Sequence, residues 1–293
     1  MKLLDGKVIA DQIKSEIAAE VNDLFSGKGL NPPHIAAVLV GDDPASQTYV
    51  TAKEKACREV GFLSSVYKYP SNMSSEKLLE AVDFLNADPD INGFIVQLPL
   101  PGHLDEQKII ERIDPRKDID GFHPENIGKM VLNLPCFIPA TPLGIITLLD
   151  RYNIETEGKN CVVLGRSHIV GTPISILLSR KSKRGNATVT LCHSFTPDIT
   201  SISSQADILV VALGKQGFVT AEMVRNGAVV IDVGIHRVAS SETKSGYKLK
   251  GDVDFEKVSR KCSYITPVPG GIGLMTIVSL LQNGLKAAKK EIV

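Results

Sequence analysis

The chain has 293 residues, 43% of them hydrophobic, enough for one large domain or two modest ones with their own cores. Lys plus Arg and Asp plus Glu both number 33, so the formal net charge is zero, and a basic nucleic-acid or anionic-membrane surface is not expected. Cys57, Cys136, Cys161, Cys192 and Cys262 are odd in number, scattered and without a CxxC pair, which fits reduced thiols rather than a disulfide framework or a zinc site. The start, Met1–Lys7, turns polar too early for a signal peptide, and no apolar stretch approaches the ~20 residues that span a bilayer. A soluble, cytoplasmic protein is expected.

In chain order, Ile9, Ile13, Ile17 and Val21 recur every four residues and predict a helix over 6–25, ended by Gly27 and Gly29. Three apolar runs at 35–40, 64–69 and 93–96 read as strands, with helices over 44–60, 75–85 and 105–113. Such alternation implies right-handed crossovers and a parallel sheet. Prolines in 134–142 break the pattern and mark a domain boundary, after which Thr141 is the expected N-cap and Pro142 the first residue of a helix to Tyr152. A second series follows: strands at 160–164, 187–192, 206–213, 228–233 and 263–266, with a helix ending near Ser179. The basic run Arg180–Arg184 reads as a solvated loop. A last helix, 275–288, places Ile277, Leu280, Leu281 and Leu285 on one side and is expected to pack back on the first domain.

The stretch Gly165-Arg166-Ser167-His168-Ile169-Val170-Gly171-Thr172-Pro173 directly follows the strand Cys161–Leu164. It reads as a glycine turn and a helix start, with Thr172 as N-cap and Pro173 as first helical residue. Backbone N–H groups in such a turn favour an anionic group such as a phosphate. The middle glycine of the usual dinucleotide fingerprint is absent. The second strand of this series ends in Cys192-His193-Ser194-Phe195, without the acidic residue that usually holds the ribose hydroxyls. A missing carboxylate, with Arg166 and Ser194 nearby, favours a 2′-phosphate and hence NADP over NAD. An arginine beside a lone glycine turn is often mere surface decoration, but further turns at Ala212–Lys215 and Asp232–Ile235 line the same edge and strengthen nucleotide binding.

In the helix after the first strand, Asp43 is the expected N-cap and Pro44 the first residue. Ser46, Tyr49 and Lys53 share one face. A lysine partly desolvated beside a phenol can serve as base or acid, although from spacing alone an ordinary exposed Tyr–Lys pair is the simpler reading. Gln97, at the end of the strand Phe94–Val96, and Asp120, in Asp118-Ile119-Asp120-Gly121, could complete a polar site; spacing does not show that they meet. The expected fold is two α/β domains: a catalytic N-terminal domain with a parallel-type sheet (1–141 plus 275–293) and a Rossmann-like NADP-binding domain (142–274), with the active-site cleft between them. On the residues alone, another NADP dehydrogenase, acting on a small hydroxy acid, and a non-catalytic nucleotide-binding module stay open.

Taken in order, the Ser46/Tyr49/Lys53 helix, Gly93-Phe94-Ile95-Val96-Gln97-Leu98-Pro99-Leu100-Pro101, Lys117–Gly121, the Gly165 turn, Cys192-His193-Ser194 and Pro267–Gly273 closely resemble the bacterial-type bifunctional methylenetetrahydrofolate dehydrogenase/methenyltetrahydrofolate cyclohydrolase family. The match covers essentially the whole chain. The resemblance implies NADP-dependent oxidation of 5,10-methylenetetrahydrofolate and hydrolysis of the methenyl product to 10-formyltetrahydrofolate, in one-carbon metabolism and purine biosynthesis. By this likeness the N-terminal domain binds folate, Lys53 is the main catalytic residue, and Tyr49 positions or tunes it. Gln97 would orient or help activate Lys53, and Asp120 would hold the pterin-like ring. Leu98, Pro269, Gly270 and Gly271 would join these four around the substrate. Gly165, Arg166, Ser167 and Ser194 would hold NADP, and Ile235 would contact it through its backbone. No metal is implied; a homodimer is. Two departures stand out: Ala140 where the family often has cysteine, which leaves no thiol chemistry there, and Leu274 where it usually has proline, which is expected to loosen the turn into the last helix.

Overall fold

The chain starts with a two-residue strand, β1 (Lys2–Leu3), and a helix, α1 (Gly6–Val21), that buries Ile9, Ile13, Ile17 and Val21 as their spacing predicts. The computed structural model describes residues 1–26, 31–241, 243 and 246–292. The helix continues as a wider π-helical turn over Asn22–Ser26; Gly27 and Gly29, expected to end it, lie outside the described residues. Then follow β2 (His34–Val40), α2 (Pro44–Glu59), β3 (Leu63–Tyr69), α3 (Ser75–Ala87), β4 (Gly93–Val96) and α4 (Glu106–Arg112). The three strands pair in the order β3-β2-β4, all parallel. Asp43, Ser74 and Asp105 each cap the next helix with a side-chain oxygen, which sets where α2, α3 and α4 begin. A helix not foreseen from the sequence, α5 (Pro124–Val131), starts with Pro124 behind a His123 cap.

Next comes α6 (Ala140–Arg151). It starts ahead of the expected Thr141 cap, and Thr141 instead places its Oγ1 3.0 Å from that of Thr276. Besides a 3-10 turn at Ala221–Met223, the remaining elements are β5 (Asn160–Leu164), α7 (Gly171–Ser179), β6 (Thr188–Cys192), α8 (Ile199–Ser203), β7 (Ile208–Val211), β8 (Val229–Asp232), β9 (His236–Ala239), β10 (Tyr247–Lys250), α9 (Phe255–Val258), β11 (Tyr264–Ile265) and α10 (Ile272–Ala288). A six-stranded, all-parallel sheet runs β1-β11-β8-β7-β5-β6. β7 and β8 are buried along their whole length, as continuous apolar strands covered on both faces should be. The chain leaves β5 for β6 on one side and then crosses to β7 on the other. That reversal opens a crevice beyond the carboxyl ends of β5 and β7. β9 and β10 form an antiparallel hairpin that the sequence reading did not anticipate.

Two compact units result, Asp11–Ala140 with Ile277–Val293, and Met1–Ala10 with Thr141–Thr276. The first ten residues thus group with the six-stranded sheet, not with the N-terminal domain expected over 1–141. The physical reason is β1: Lys2 N donates to Ser263 O (2.7 Å) and Leu4 N to Ile265 O (2.8 Å), adding an edge strand. In the other unit, α10 approaches β2 closely at Gly284, where a Cβ would stand 2.4 Å from Ile35 Cδ1. All five cysteines are buried, and none is joined in a disulfide among the described residues. No helix among the described residues is long and apolar enough to cross a membrane.

Candidate active site

The first polar cluster grows from the carboxyl ends of β2 and β4. Asp43 Oδ2 accepts from Ser46 N (2.7 Å), and Pro44 opens α2, so the helix turns Ser46, Val50, Lys53 and Cys57 inward. Lys53 is only 8% exposed, unusual for a lysine. Its Nζ donates to Gln97 Oε1 at 3.2 Å, while Gln97 Nε2 donates to Leu98 O at 2.7 Å. These two bonds orient the amide with its oxygen toward the ammonium. Gln97 itself is held by its N–H, which donates to Val38 O (2.9 Å) just beyond β4. The peptide bond that follows, Leu98–Pro99, is cis.

Asp120 arrives on a segment that runs beside β4. Phe94 N donates to Lys117 O (2.9 Å), and Gly93 lacks a side chain because a Cβ there would stand 2.3 Å from Ile119 Cγ2. The two aspartates of the turn then part company. Buried Asp118 accepts from Gly121 N (3.1 Å), His123 N (2.8 Å) and Asn126 Nδ2 (2.9 Å), and so braces the turn. Asp120 is buried too, yet no group among the described residues donates to its carboxylate. Burial pushes its carboxyl above the usual range, and the Lys53 charge pulls it back. Asn283 of α10 fixes the segment by donating to Ile119 O (2.8 Å) and Ile138 O (2.9 Å). Tyr49 lies half-buried one turn before Lys53; its hydroxyl bonds to none of the described residues, and burial raises its phenol. Thus Lys53 and Gln97 meet directly, Asp120 feels the Lys53 charge, and Tyr49 shares only the helix face.

In the second unit, Gly165 follows β5 with φ +107°, and a Cβ there would stand 2.1 Å from Ala212 O. At Gly171 a Cβ would stand 1.9 Å from Gly165 O. Both glycines are therefore imposed by main-chain contact at the strand crossover. The expected Thr172 cap is not observed: α7 starts at Gly171 behind Val170, which makes Pro173 its third residue. Ser167 supplies the capping oxygen instead, accepting from Val170 N (3.1 Å) and Gly171 N (3.4 Å). The N–H groups of Arg166, Ser167, His168 and Ile169 donate to none of the described residues. Arg166 is exposed, and no described residue provides it with a carboxylate; its guanidinium lies 6.0 Å from the centre of the Phe195 ring. At the end of β6, Ser194 is exposed and no acid is present.

Residues 4–120 match the model of the tetrahydrofolate dehydrogenase/cyclohydrolase catalytic domain, and residues 139–292 that of the NAD(P)-binding domain of the same enzymes. The chain belongs to the tetrahydrofolate dehydrogenase/cyclohydrolase family. It is 59% identical over 288 residues to the bifunctional protein FolD of Porphyromonas gingivalis, covering 98% of this chain and 97% of that one. The crystal structure of the bifunctional methylenetetrahydrofolate dehydrogenase/cyclohydrolase FolD from Campylobacter jejuni is similar at a TM-score of 0.92 and 47% identity, over 100% of both chains. The Trypanosoma brucei methylenetetrahydrofolate dehydrogenase-cyclohydrolase, solved with NADP cofactor and an inhibitor, gives 0.92 at 38% identity, over 98% and 97%.

For a dehydrogenase/cyclohydrolase of this family, the loop Pro267–Gly271 is set by backbone contacts. Gly270 has φ +107°, Lys7 N donates to Gly270 O (3.1 Å), and Val268–Pro269 is cis. Because α10 begins at Ile272, Leu274 lies inside its first turn rather than ahead of it. Its N–H falls among those with no partner inside the helix, so either proline or leucine fits there without loss of a helix hydrogen bond. Ala140, the other departure, opens α6 and donates its N–H to Asp120 O (3.2 Å).

Three residues escaped the sequence reading. Phe195 is 80% exposed, and its signal was an apolar ring in an otherwise polar turn. Asp232 and Asp252 are buried among main-chain turns. Their only trace in sequence is that Asp232 ends an apolar run and that Asp252 follows a glycine. Ile235, next to Gly234, is 40% exposed.

Proposed function

We propose that this family member oxidises 5,10-methylenetetrahydrofolate with NADP and hydrolyses the methenyl product to 10-formyltetrahydrofolate, with Lys53 as its acid–base residue. The observation that carries the reading is the buried Lys53 Nζ, bonded to the Gln97 amide oxygen and coupled to a carboxylate to which no described residue donates. Held by Gly165, Arg166, Ser167 and Ser194, NADP would supply the acceptor for the hydride of the methylene bridge, whose oxidation gives the methenyl cation. Because that product is already a cation, orientation of the bridge counts for more than a strong acid.

Hydrolysis asks more of the side chains. Water adds to the cationic carbon and loses one proton; as the bond to N5 then breaks, N5 gains a proton and the hydroxyl of the adduct gives its own to solvent, leaving the formyl C=O and one proton released overall. Lys53 Nζ takes the first proton and returns it to N5. Gln97 orients Nζ, Tyr49 positions or tunes it, and Asp120 accepts N–H groups of the pterin-like ring. Leu98 completes the proposed substrate contacts of this unit.

The cofactor fits the second unit. Four main-chain N–H groups in the 166–169 turn and an uncommitted Arg166 are suited to phosphates, and no carboxylate at the end of β6 would repel a 2′-phosphate. Gly165, Arg166, Ser167 and Ser194 would hold those groups, with Ile235 contacting the cofactor through its backbone. Family membership also supports a cytoplasmic homodimer that supplies formyl groups for purine biosynthesis.

The purified protein should reduce NADP only when methylenetetrahydrofolate is present, and should convert the methenyl form to the formyl form. Failure of either reaction would overturn the reading.

A further inference from the structure

Two buried carboxylates organise the carboxyl edge of the six-stranded sheet. Asp232, the last residue of β8, accepts through Oδ1 from Gly234 N and Asp252 N and through Oδ2 from Val253 N, all at 3.0 Å. Asp252, with no exposed surface, accepts through Oδ2 from Leu213 N (2.7 Å) and Gly214 N (2.9 Å). Its Oδ1 lies 2.7 Å from His236 Nε2. The backbone makes room for both groups. A Cβ at Gly234 would stand 2.4 Å from the Asp252 carboxyl carbon, and one at Gly251 would stand 1.9 Å from Asp232 Oδ2.

A buried carboxylate is tolerated only when its oxygens are satisfied. Here the donors are almost all main-chain amides, from the turns after β7 and β8 and from the segment that follows β10. Asp232 ties the turn after β8 to the segment 251–253 that follows β10, and Asp252 ties that segment to the turn after β7. The turn after β7 begins at Ala212, whose carbonyl oxygen is the atom that forbids a side chain at Gly165. The hydrogen bonds from Asp232 to Asp252 to Leu213 and Gly214 therefore end against the glycine turn at the crossover of β5 and β7.

We infer that Asp252 is a positioning residue for the cofactor: by taking the Leu213 and Gly214 amides it fixes the floor on which the Gly165 turn rests, and so sets the seat of the dinucleotide. The inference rests on the reading that NADP binds at Gly165. Asp252 touches neither substrate nor reacting atoms; it acts through the turn.

Steady-state kinetics of Asp252→Ala and Asp252→Asn test this, with hydrolysis of methenyltetrahydrofolate, which requires no cofactor, as the control. In Asp252→Ala the KM for NADP should rise at least tenfold, with hydrolysis within twofold of wild type. Asn keeps an oxygen facing both turn amides, so Asp252→Asn should stay within threefold of the wild-type KM. Should Asp252→Ala not fold, Asp252→Ser, whose hydroxyl is too short to serve both amides, carries the same test. An unchanged KM in the Ala or Ser variant would overturn the inference. So would a parallel loss of both activities with a lowered urea midpoint, which would mean that Asp252 only stabilises the fold. Wild-type protein that binds no NADP would instead remove the reading beneath it.

Discussion

The Lys53 cluster and the Gly165 turn both sit at carboxyl ends of parallel strands, but they are made of different material. Around Lys53 the chemistry is in side chains: an ammonium, an amide and a carboxylate from α2, the end of β4 and the segment after α4. Around Gly165 it is in the backbone, with glycines that no side chain could replace and turn amides that donate to none of the described residues. A side-chain site loses its function when one group is removed. A backbone site loses it when one atom is added.

Adding a methyl group at Gly171 should therefore have the largest effect on the cofactor. Its Cβ would stand 1.9 Å from the Gly165 carbonyl oxygen, a main-chain atom with nowhere to go. Gly171→Ala is expected to weaken NADP binding by about 100-fold or more, the size of a strained repacking of 2–3 kcal/mol. Fluorescence titration measures the binding, and hydrolysis of methenyltetrahydrofolate should continue. Arg166→Ala comes next. Losing charge-assisted hydrogen bonds should raise the KM for NADP roughly 10- to 100-fold while leaving NAD within about threefold. Equal losses for the two cofactors would remove the 2′-phosphate assignment.

The smallest effect on activity concerns Asp232. Burial pushes its carboxyl up to about 6 from an ordinary 3.8. The folded chain then holds that proton more tightly than the unfolded chain, so the contribution is full below about pH 4 and lost as pH rises to about 6. Across that window the penalty reaches about 3 kcal/mol at most, and it is flat above. Urea midpoints from pH 4 to 7 should show this falling component in wild type and not in Asp232→Asn. Since the group is ionised above pH 6, turnover at neutral pH should not register its titration.

The same contrast governs what could be read from the residues. β4 and β5 match their apolar runs end to end, because strands buried on both faces need uninterrupted apolar residues. The glycine turn was visible, but the cap was misplaced: Thr172 has the right chemistry, yet Ser167 sits where the turn aims Val170 N and Gly171 N. β1 is two residues long, and its partner β11 begins at Tyr264, so no local pattern announces it. Helix α5 turns only Asn126 and Met130 fully inward, too few to leave a periodic stripe. The Lys53–Gln97 bond joins residues 44 apart, and its members could be nominated but not shown to touch. Asp252 binds Leu213 N across 39 residues, a purely tertiary link.

Lys53→Met, assayed for hydrolysis of methenyltetrahydrofolate at saturating substrate with NADP affinity measured on the same preparation, tests most directly that chemistry and cofactor binding rest on separate foundations. Hydrolysis should fall by roughly 100- to 10,000-fold, the usual worth of a general acid–base group, with NADP affinity within twofold of wild type. Full hydrolysis in Lys53→Met would contradict the role given to Lys53, and a matching loss of NADP affinity would contradict the separation.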